Sequence, residues 1–219
     1  MLTSNIWNRV FRLSTPDGFG TAFAVESERG TQYLVTAKHV VEGHEGTVRL
    51  EAFGEEHEIP LDLISGVPGE ADVAVVALER PLATALPTTF NSDGSVFSQD
   101  MYFLGYPYGL AMRAHGVDQM PFVKKATFSA HDLRDDVRLL YLDGINNPGF
   151  SGGPVAFYRP PNSTQDPHIA GVISGYRIAP DELVLRGQRV EDAVVRANSG
   201  IIIAYDIRHA MDAIREHEA

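Results

Sequence analysis

The chain has 219 residues, of which 18 are basic and 29 acidic, and its net charge of −11 speaks against nucleic acids and anionic membrane surfaces as partners. With 44% apolar and 21% charged residues the composition is that of a folded globular protein, long enough for one large β domain or two smaller halves. There is no cysteine, which excludes a disulfide framework and a thiolate metal site and fits a reducing compartment.

The first residues, Met1 to Val10, lack a continuous apolar segment followed by a small-residue cleavage site, so no signal peptide is expected. No apolar stretch approaches the ~20 residues of a membrane span. The expectation is a cytoplasmic protein. From Val10 to Leu78 short β-type runs alternate with turn clusters. Thr21 to Val25, Tyr33 to Thr36, Thr47 to Leu50, Glu58 to Leu63 and Val73 to Leu78 are the runs, with Glu28-Arg29-Gly30 and Val67-Pro68-Gly69 among the turns. Val40-Val41-Glu42-Gly43 fits one helical turn. Pro81 to Gly94, rich in Pro, Thr, Asn, Asp and Ser, fits a linker between halves. The second half repeats the habit with Tyr102 to Leu104, Val123 to Ser129, Arg138 to Leu142, Pro154 to Phe157, His168 to Ser174 and Ile201 to Tyr205. Asp206 is placed to cap a final helix in which Ile207, Ala210, Met211 and Ile214 fall at helical spacing. Two β-barrels and a terminal helix are what this count of strands suggests.

Three stretches carry chemistry. In Asn147-Pro148-Gly149-Phe150-Ser151-Gly152-Gly153-Pro154-Val155 a serine stands between glycines before an apolar run. A tight loop there can expose a nucleophilic hydroxyl beside backbone N–H groups; the same residues also suit a plain turn before a strand. In Tyr33 to Val41 an apolar run ends by presenting His39, and in Glu70 to Leu78 Asp72 stands at the mouth of a buried-looking strand. Histidine, aspartate and serine in this chain order match one arrangement of a nucleophilic triad. With 8 histidines and 29 acidic residues, order by itself says nothing, and local context has to carry the argument. Gly149-Phe150-Ser151-Gly152-Gly153 also satisfies the Gly-x-Ser-x-Gly elbow of α/β-hydrolases. That elbow needs a helix after the serine and the acid and histidine downstream, whereas Pro154 and Arg159-Pro160-Pro161-Asn162-Ser163 cannot build one.

At these residues the sequence resembles the trypsin-like serine peptidases, and most closely their HtrA (DegP-like) branch. Thr36 to Val40, Asp72 to Val76 and Asn147 to Pro154 look like that branch's three catalytic blocks. Gly18 to Val25 looks like its first hairpin and Phe103 to Leu110 like its Gly-Asn-Pro-Phe-Gly turn. Gly171 to Gly175 looks like its substrate-flanking strand and Gly200 to Tyr205 like its final strand. The likeness runs from about residue 10 to 215. It implies an all-β fold of two six-stranded antiparallel β-barrels, 10–85 and 99–205, joined by a linker 86–98 and followed by a C-terminal α-helix 206–217, together one peptidase domain 1–219. The family's usual PDZ module is not expected in this chain.

The resemblance further implies a serine endopeptidase with Ser151 as nucleophile, His39 as general base and Asp72 holding its tautomer. The N–H groups of Gly149 and Ser151, with Phe150 as a third candidate, would form the oxyanion hole. Ser174, Gly175 and Tyr176 would pair with an extended protein or peptide substrate. Ile145, Asn146 and Asn147 would line the primary pocket, with Ile145 at the base where basic-specific members carry an aspartate and Tyr176 where many members keep a glycine; both departures imply a smaller, apolar pocket. In trypsin-like zymogens an aspartate before the nucleophile pairs with a freed N-terminal ammonium. Here that residue is Phe150, so N-terminal cleavage is not expected to be the switch.

No cofactor and no metal are expected, because His44, His57, His115, His131, His168, His209 and His217 lack ligand spacing. The charged segment Arg177 to Asn198 fits a solvated hairpin, the alternative being a role in gating or in docking a regulatory protein partner. From a different functional class, a catalytically silent trypsin-like fold used for protein binding would satisfy the same blocks.

Overall fold

A computed structural model describes residues 3–114, 116–159 and 167–219. His115 and the segment Pro160 to Ser163, read above as unable to form a helix, lie outside the described residues.

The first sheet consists of β1 (Val10–Thr15), β2 (Gly18–Glu26), β3 (Gln32–Thr36), β4 (Thr47–Ala52), β5 (Glu55–Pro60) and β6 (Ala74–Ala77), in the spatial order β5-β4-β1-β2-β3-β6. Its two outer strands meet through the chain that follows β5. Leu63 bridges Val76, Ile64 N donates to Val75 O and Ala77 N donates to Asp62 O. Inward residues of these strands, among them Leu13, Ala22, Leu34, Leu50, Ile59 and Val76, make one buried cluster. Burial of apolar side chains is the reason: β1 and β4 alternate in part, whereas β3 leaves water on both faces.

The second sheet consists of β7 (Thr89–Phe90), β8 (Asp100–Gly105), β11 (Phe122–Arg134), β12 (Val137–Asp143), β13 (Pro154–Tyr158), β14 (Pro167–Leu185) and β15 (Gln188–Asp206), while β9 (Met112–Ala114) and β10 (Val117–Met120) form a small separate ladder. The order is β13-β8-β11-β12-β15-β14-β7, and β13 also pairs with β14, so the pairings run round six strands and return to the first. The seventh, β7, adds to β14 in parallel. It lies inside the segment read as linker. Met101, Phe103, Phe128, Leu142, Phe150, Phe157 and Ile202 are in the core of this body.

Two helical details differ from the sequence expectation. The helical turn near His39 is α2 (Lys38–Val41), which contains the histidine instead of following it. The last helix is α3 (Arg208–His217), flanked by Ile207, and Asp206 stands one residue further out; its Oδ1 still accepts the Arg208 N–H at 2.9 Å. The segment 177–198 is the outer part of the β14–β15 hairpin, closed at Leu185 and Gln188.

A third cluster lies between the two bodies. It joins Phe23, Val25 and Val35 of the first to Leu104, Tyr106 and Val172 of the second, and α3 closes it with Ile207, Ala210, Met211 and Ile214. Ile6 of the short α1 (Ser4–Trp7) completes it. Arg9, only 1% exposed, ties the 86–88 segment to this region by bonds to Asn5 O, Ala24 O, Glu26 and Leu86 O.

Across the same boundary runs a polar tie centred on Thr21 of β2. Its Oγ1 donates to Gly149 O at 2.7 Å and accepts from Tyr106 N at 3.2 Å. Its N–H donates to Ser151 O at 2.8 Å, and its carbonyl accepts from Thr36 Oγ1 at 2.8 Å. All of these groups are out of water, so each needs its partner. Thr21→Val keeps the shape and removes the hydroxyl, leaving Gly149 O and Tyr106 N unsatisfied. The expected loss is about 1–3 kcal/mol, read as a lower urea midpoint at unchanged slope.

Candidate active site

The cleft is assembled from both bodies. His39 is carried by α2, the turn after β3, because Thr36 ends a strand that is buried throughout. Asp72 precedes β6, which pairs with β3, so the two side chains emerge at neighbouring strand ends. His39 Nδ1 lies 2.7 Å from Asp72 Oδ2, and the His39 N–H donates to Asp72 Oδ1 at 2.9 Å. The carboxylate therefore grips backbone and ring together, which leaves Nε2 as the ring's outward atom. Ser174 Oγ of β14 donates to the same Oδ2 at 2.5 Å.

The electrostatics follow from these bonds. The hydrogen bond to Asp72 is the chief reason the His39 imidazole binds its proton more tightly than an ordinary histidine; burial works against it, and the charges of Asp72 and Glu42 add to it. For Asp72 burial is the largest influence and would raise its pKa. The bonds from the His39 ring, the Ser174 hydroxyl and the His39 N–H outweigh it and hold the carboxyl below the usual range.

Ser151 comes from the second body, in the loop between β12 and β13. Its hydroxyl donates to Ser174 O at 2.9 Å and not to His39. His39, Gly149 and Ser151 nevertheless line one groove of about 320 Å³, together with Pro148, Phe19 and Val40. The structure thus brings Asp72, His39 and Ser174 into one hydrogen-bonded set and places Ser151 beside it.

The loop before Ser151 is held by its carbonyls. Pro148 O accepts from Tyr108 N at 2.8 Å, Gly149 O from Thr21 Oγ1 at 2.7 Å and Phe150 O from Gly153 N at 2.8 Å. In a trans peptide the N–H points opposite to the C=O. Anchoring Pro148 O and Phe150 O from behind therefore turns the N–H groups of Gly149 and Ser151 the other way, and among the described residues neither finds an acceptor. Phe150 N donates to Asn147 O at 3.3 Å, which withdraws it from the three candidate donors. Its ring is fully buried against Phe103.

Two glycines are required. Gly149 has φ +100° and a Cβ on it would fall 2.3 Å from Tyr106 O; Gly152 has φ +84° and a Cβ there would fall 2.0 Å from Thr21 O. A side chain would clash with backbone at either position, on top of the left-handed conformation.

Of the residues expected in a primary pocket, Asn146 is buried, Asn147 is half-buried and Ile145 is 51% exposed. The carbonyl of Ile145 accepts from Lys124 Nζ in an exposed bond. Asn146 O accepts from Asn198 Nδ2 at 2.8 Å, so the root of the β14–β15 hairpin is attached to this loop. Ser174, Gly175 and Tyr176 follow in β14, with a register shift between Ile173 and Gly175 that interrupts pairing with β15 beside the Ser174 carbonyl. Sequence reasoning did not single out Thr21 or Tyr108, which with Gly153 anchor the loop's carbonyls. Thr21 reads as an ordinary strand threonine, and Tyr108, at φ 55°, holds the loop by its N–H on Pro148 O, while its phenol oxygen accepts from Asn147 Nδ2 at 3.3 Å. Among the described residues no three His, Asp or Glu side chains converge as a metal would require, and no helix is long and apolar enough to cross a membrane.

A family model described as the trypsin-like peptidase domain matches residues 20–156. Among solved structures the chain is similar to the HtrA-type protease AlgW with a bound tripeptide, with TM-score 0.65 and 20% identity over 98% of this chain and 62% of that one. It is also similar to the inactive form of the Rv3671c protease of M. tuberculosis, with TM-score 0.61 and 18% identity over 98% of this chain and 91% of that one. The chain thus spans less than two thirds of AlgW, and at these identities the likeness speaks for the fold. No curated protein sequence matches. With two β bodies, a closing C-terminal helix and a family model that covers more than half of its length, the chain belongs to the trypsin-like peptidase domain family.

Proposed function

We propose that the chain is a serine endopeptidase in which Ser151, His39 and Asp72 act as a catalytic triad. The observation that carries this reading is the 2.7 Å bond between His39 and Asp72 at the groove that Ser151 also lines. Ser151 Oγ attacks the peptide carbonyl carbon while His39 Nε2 takes its proton. The oxyanion accepts from the N–H groups of Gly149 and Ser151. His39 then passes the proton to the leaving amine, the C–N bond breaks, and water repeats the sequence on the acyl-enzyme. Extended peptide is the substrate class this geometry suits, since the Ser174 carbonyl and the strand to Tyr176 are placed for main-chain pairing. Bound tripeptide and decapeptide in AlgW structures support it. A peptide N–H that takes over the Ser174 carbonyl would release the Ser151 hydroxyl toward His39. The lack of cysteine supports a cytoplasmic setting.

The hydroxyl's bond to Ser174 O favours one second reading, a silent fold that binds peptides without cutting them. A fluorophosphonate probe separates the two. The peptidase is labelled at Ser151, and Ser151→Ala and His39→Ala each abolish labelling and turnover while the fold is retained; turnover that survives in Ser151→Ala overturns the triad. Because the members act as a unit, the double variant should be little worse than either single one.

The pH dependence has a definite sign. His39 must be neutral to act as base and its pKa is raised, so kcat/KM should climb with pH through a midpoint above about 6.5. Asp72→Asn should cost roughly 10⁴ in kcat through loss of the correct tautomer. A rate that is flat from pH 5 to 8 excludes a histidine base.

Cleavage preference follows from the pocket loop. Ile145, Asn146 and Asn147 carry no negative charge, so a Lys or Arg before the scissile bond would lack a counter-ion there. Profiling with a peptide library should return Val, Leu or Ala at that position; strict Lys/Arg cleavage would show that another part of the chain makes the pocket.

A further inference from the structure

Phe150 has no charge with which to hold its loop, yet a cation lies against it. We propose that Lys124 is a positioning residue whose ammonium orders the 145–150 loop from behind, so that the protein carries its own activating cation and does not depend on a freed N-terminus. The proposal rests on reading Ser151 as the nucleophile of this loop.

Lys124 stands on β11 opposite Phe103 of β8. Its Nζ donates to Ile145 O and, at 3.0 Å, to Asn147 Oδ1. The ammonium is 5.8 Å from the centre of the Phe103 ring and 5.9 Å from that of Phe150, two rings that meet edge to face at 4.9 Å. One cation thus contacts the loop at residues 145, 147 and 150, on the side of the Phe150 ring, while the next residue, Ser151, lines the groove. Ring faces attract a cation, and the attraction strengthens as water is removed.

The loop has a reason to need positive charge here. Its outward-turned N–H groups at Gly149 and Ser151 leave carbonyls facing the body, and inward carbonyls require donors. Tyr108, Thr21 and Gly153 supply the later ones, and Lys124 bridges the start of the loop by an exposed bond to Ile145 O and a half-buried one to Asn147 Oδ1. The groups bonded to or beside the ammonium are Ile145 O, Asn147 Oδ1 and the Phe103 and Phe150 rings, none of them titratable; one titratable group joins them at one remove, the Tyr108 phenol, whose oxygen accepts from Asn147 Nδ2 at 3.3 Å, and the arginine variant separates its titration from that of Lys124. Asp100 of β8 is engaged by the neighbouring Lys125 at 2.8 Å. Burial lowers the pKa of Lys124 from the ordinary lysine value, which brings discharge of the clamp into a measurable pH range.

The test uses the full chain, with Lys124→Met and Lys124→Arg beside the wild type. Three quantities are read: kcat and KM on one peptide from pH 7 to 11, the rate of fluorophosphonate labelling, and amide hydrogen exchange over residues 145–150. Wild-type kcat should fall on an alkaline limb that begins below the ordinary lysine range. Lys124→Arg, which keeps its charge at every pH used, should recover most of kcat and lose that limb. Lys124→Met should lose at least about tenfold in kcat at pH 8, with KM changed less than about twofold, because oxyanion donors act mainly in the transition state. Exchange over 145–150 should rise in Lys124→Met alone. Wild-type kcat and exchange in Lys124→Met, or an alkaline limb that persists in Lys124→Arg, would overturn the proposal. If the wild type neither cuts peptides nor takes the probe, it is the peptidase reading that fails; exchange still decides the clamp, raised protection loss supporting it and unchanged protection refuting it. The wild-type limb and the arginine variant need no disruptive substitution, so a misfolded Lys124→Met leaves both arms decisive.

Discussion

The cleft depends on carbonyls that are held from behind. Two N–H groups can face a groove without partners only if the peptides that carry them are fixed at their oxygen ends, since a free peptide would rotate to satisfy itself. The anchors come from three places: Tyr108 N after β8, Thr21 Oγ1 on β2 and Gly153 N within the loop. Each bond contributes on the order of 1 kcal/mol net, and leaving the buried Thr21 hydroxyl or Gly149 carbonyl without its partner costs more. Gly149 and Gly152 meet the same requirement in covalent form, because the anchored path passes within contact of the Tyr106 and Thr21 carbonyls.

Thr21 links this loop to the placement of His39. It belongs to the first body, yet its hydroxyl and N–H hold two residues of the second body's loop, and its carbonyl receives Thr36, three residues before the histidine. One buried residue thus fixes the distance between a ring on one sheet and a hydroxyl on the other. The apolar cluster between the bodies supplies the bulk of the holding force at roughly 25 cal/mol per Å² of apolar surface removed from water. Polar contacts supply the register that non-directional burial cannot.

The His39 and Asp72 pair does a different job. The imidazole is 47% exposed, and exposed ion pairs contribute little to stability. What the pair provides is orientation: one carboxylate receives the ring, the His39 N–H and the Ser174 hydroxyl, so rotation of the imidazole would break bonds on a group that is itself fixed on three sides. Ser174 connects the same carboxylate to the strand on which a peptide would lie, with its hydroxyl on Asp72 and its carbonyl on Ser151.

The sequence by itself determined the class of fold and the positions of the chemically capable residues. Short, β-branched, nearly continuous apolar runs such as Tyr33 to Thr36 and Val73 to Leu78 mark strands that leave water on both faces. The Gly149 to Gly153 stretch was legible as a tight loop because only glycine tolerates its backbone. Other features were decided by tertiary structure. The helical turn contains His39 instead of following it, since the strand pairing of β3 ends at Thr36 and α2 starts at Lys38. The half-exposure of Ile145 and the bond from Lys124 Nζ to its carbonyl follow from how β11 and the loop meet. The Ser151 hydroxyl faces Ser174 O, and the loop's anchors are backbone atoms and a strand threonine, none of which has a residue-type signature. Local sequence records which side chains leave water and which backbone angles are allowed; which carbonyl finds which donor is a property of surfaces brought together from 128 residues apart, as Thr21 and Gly149 are.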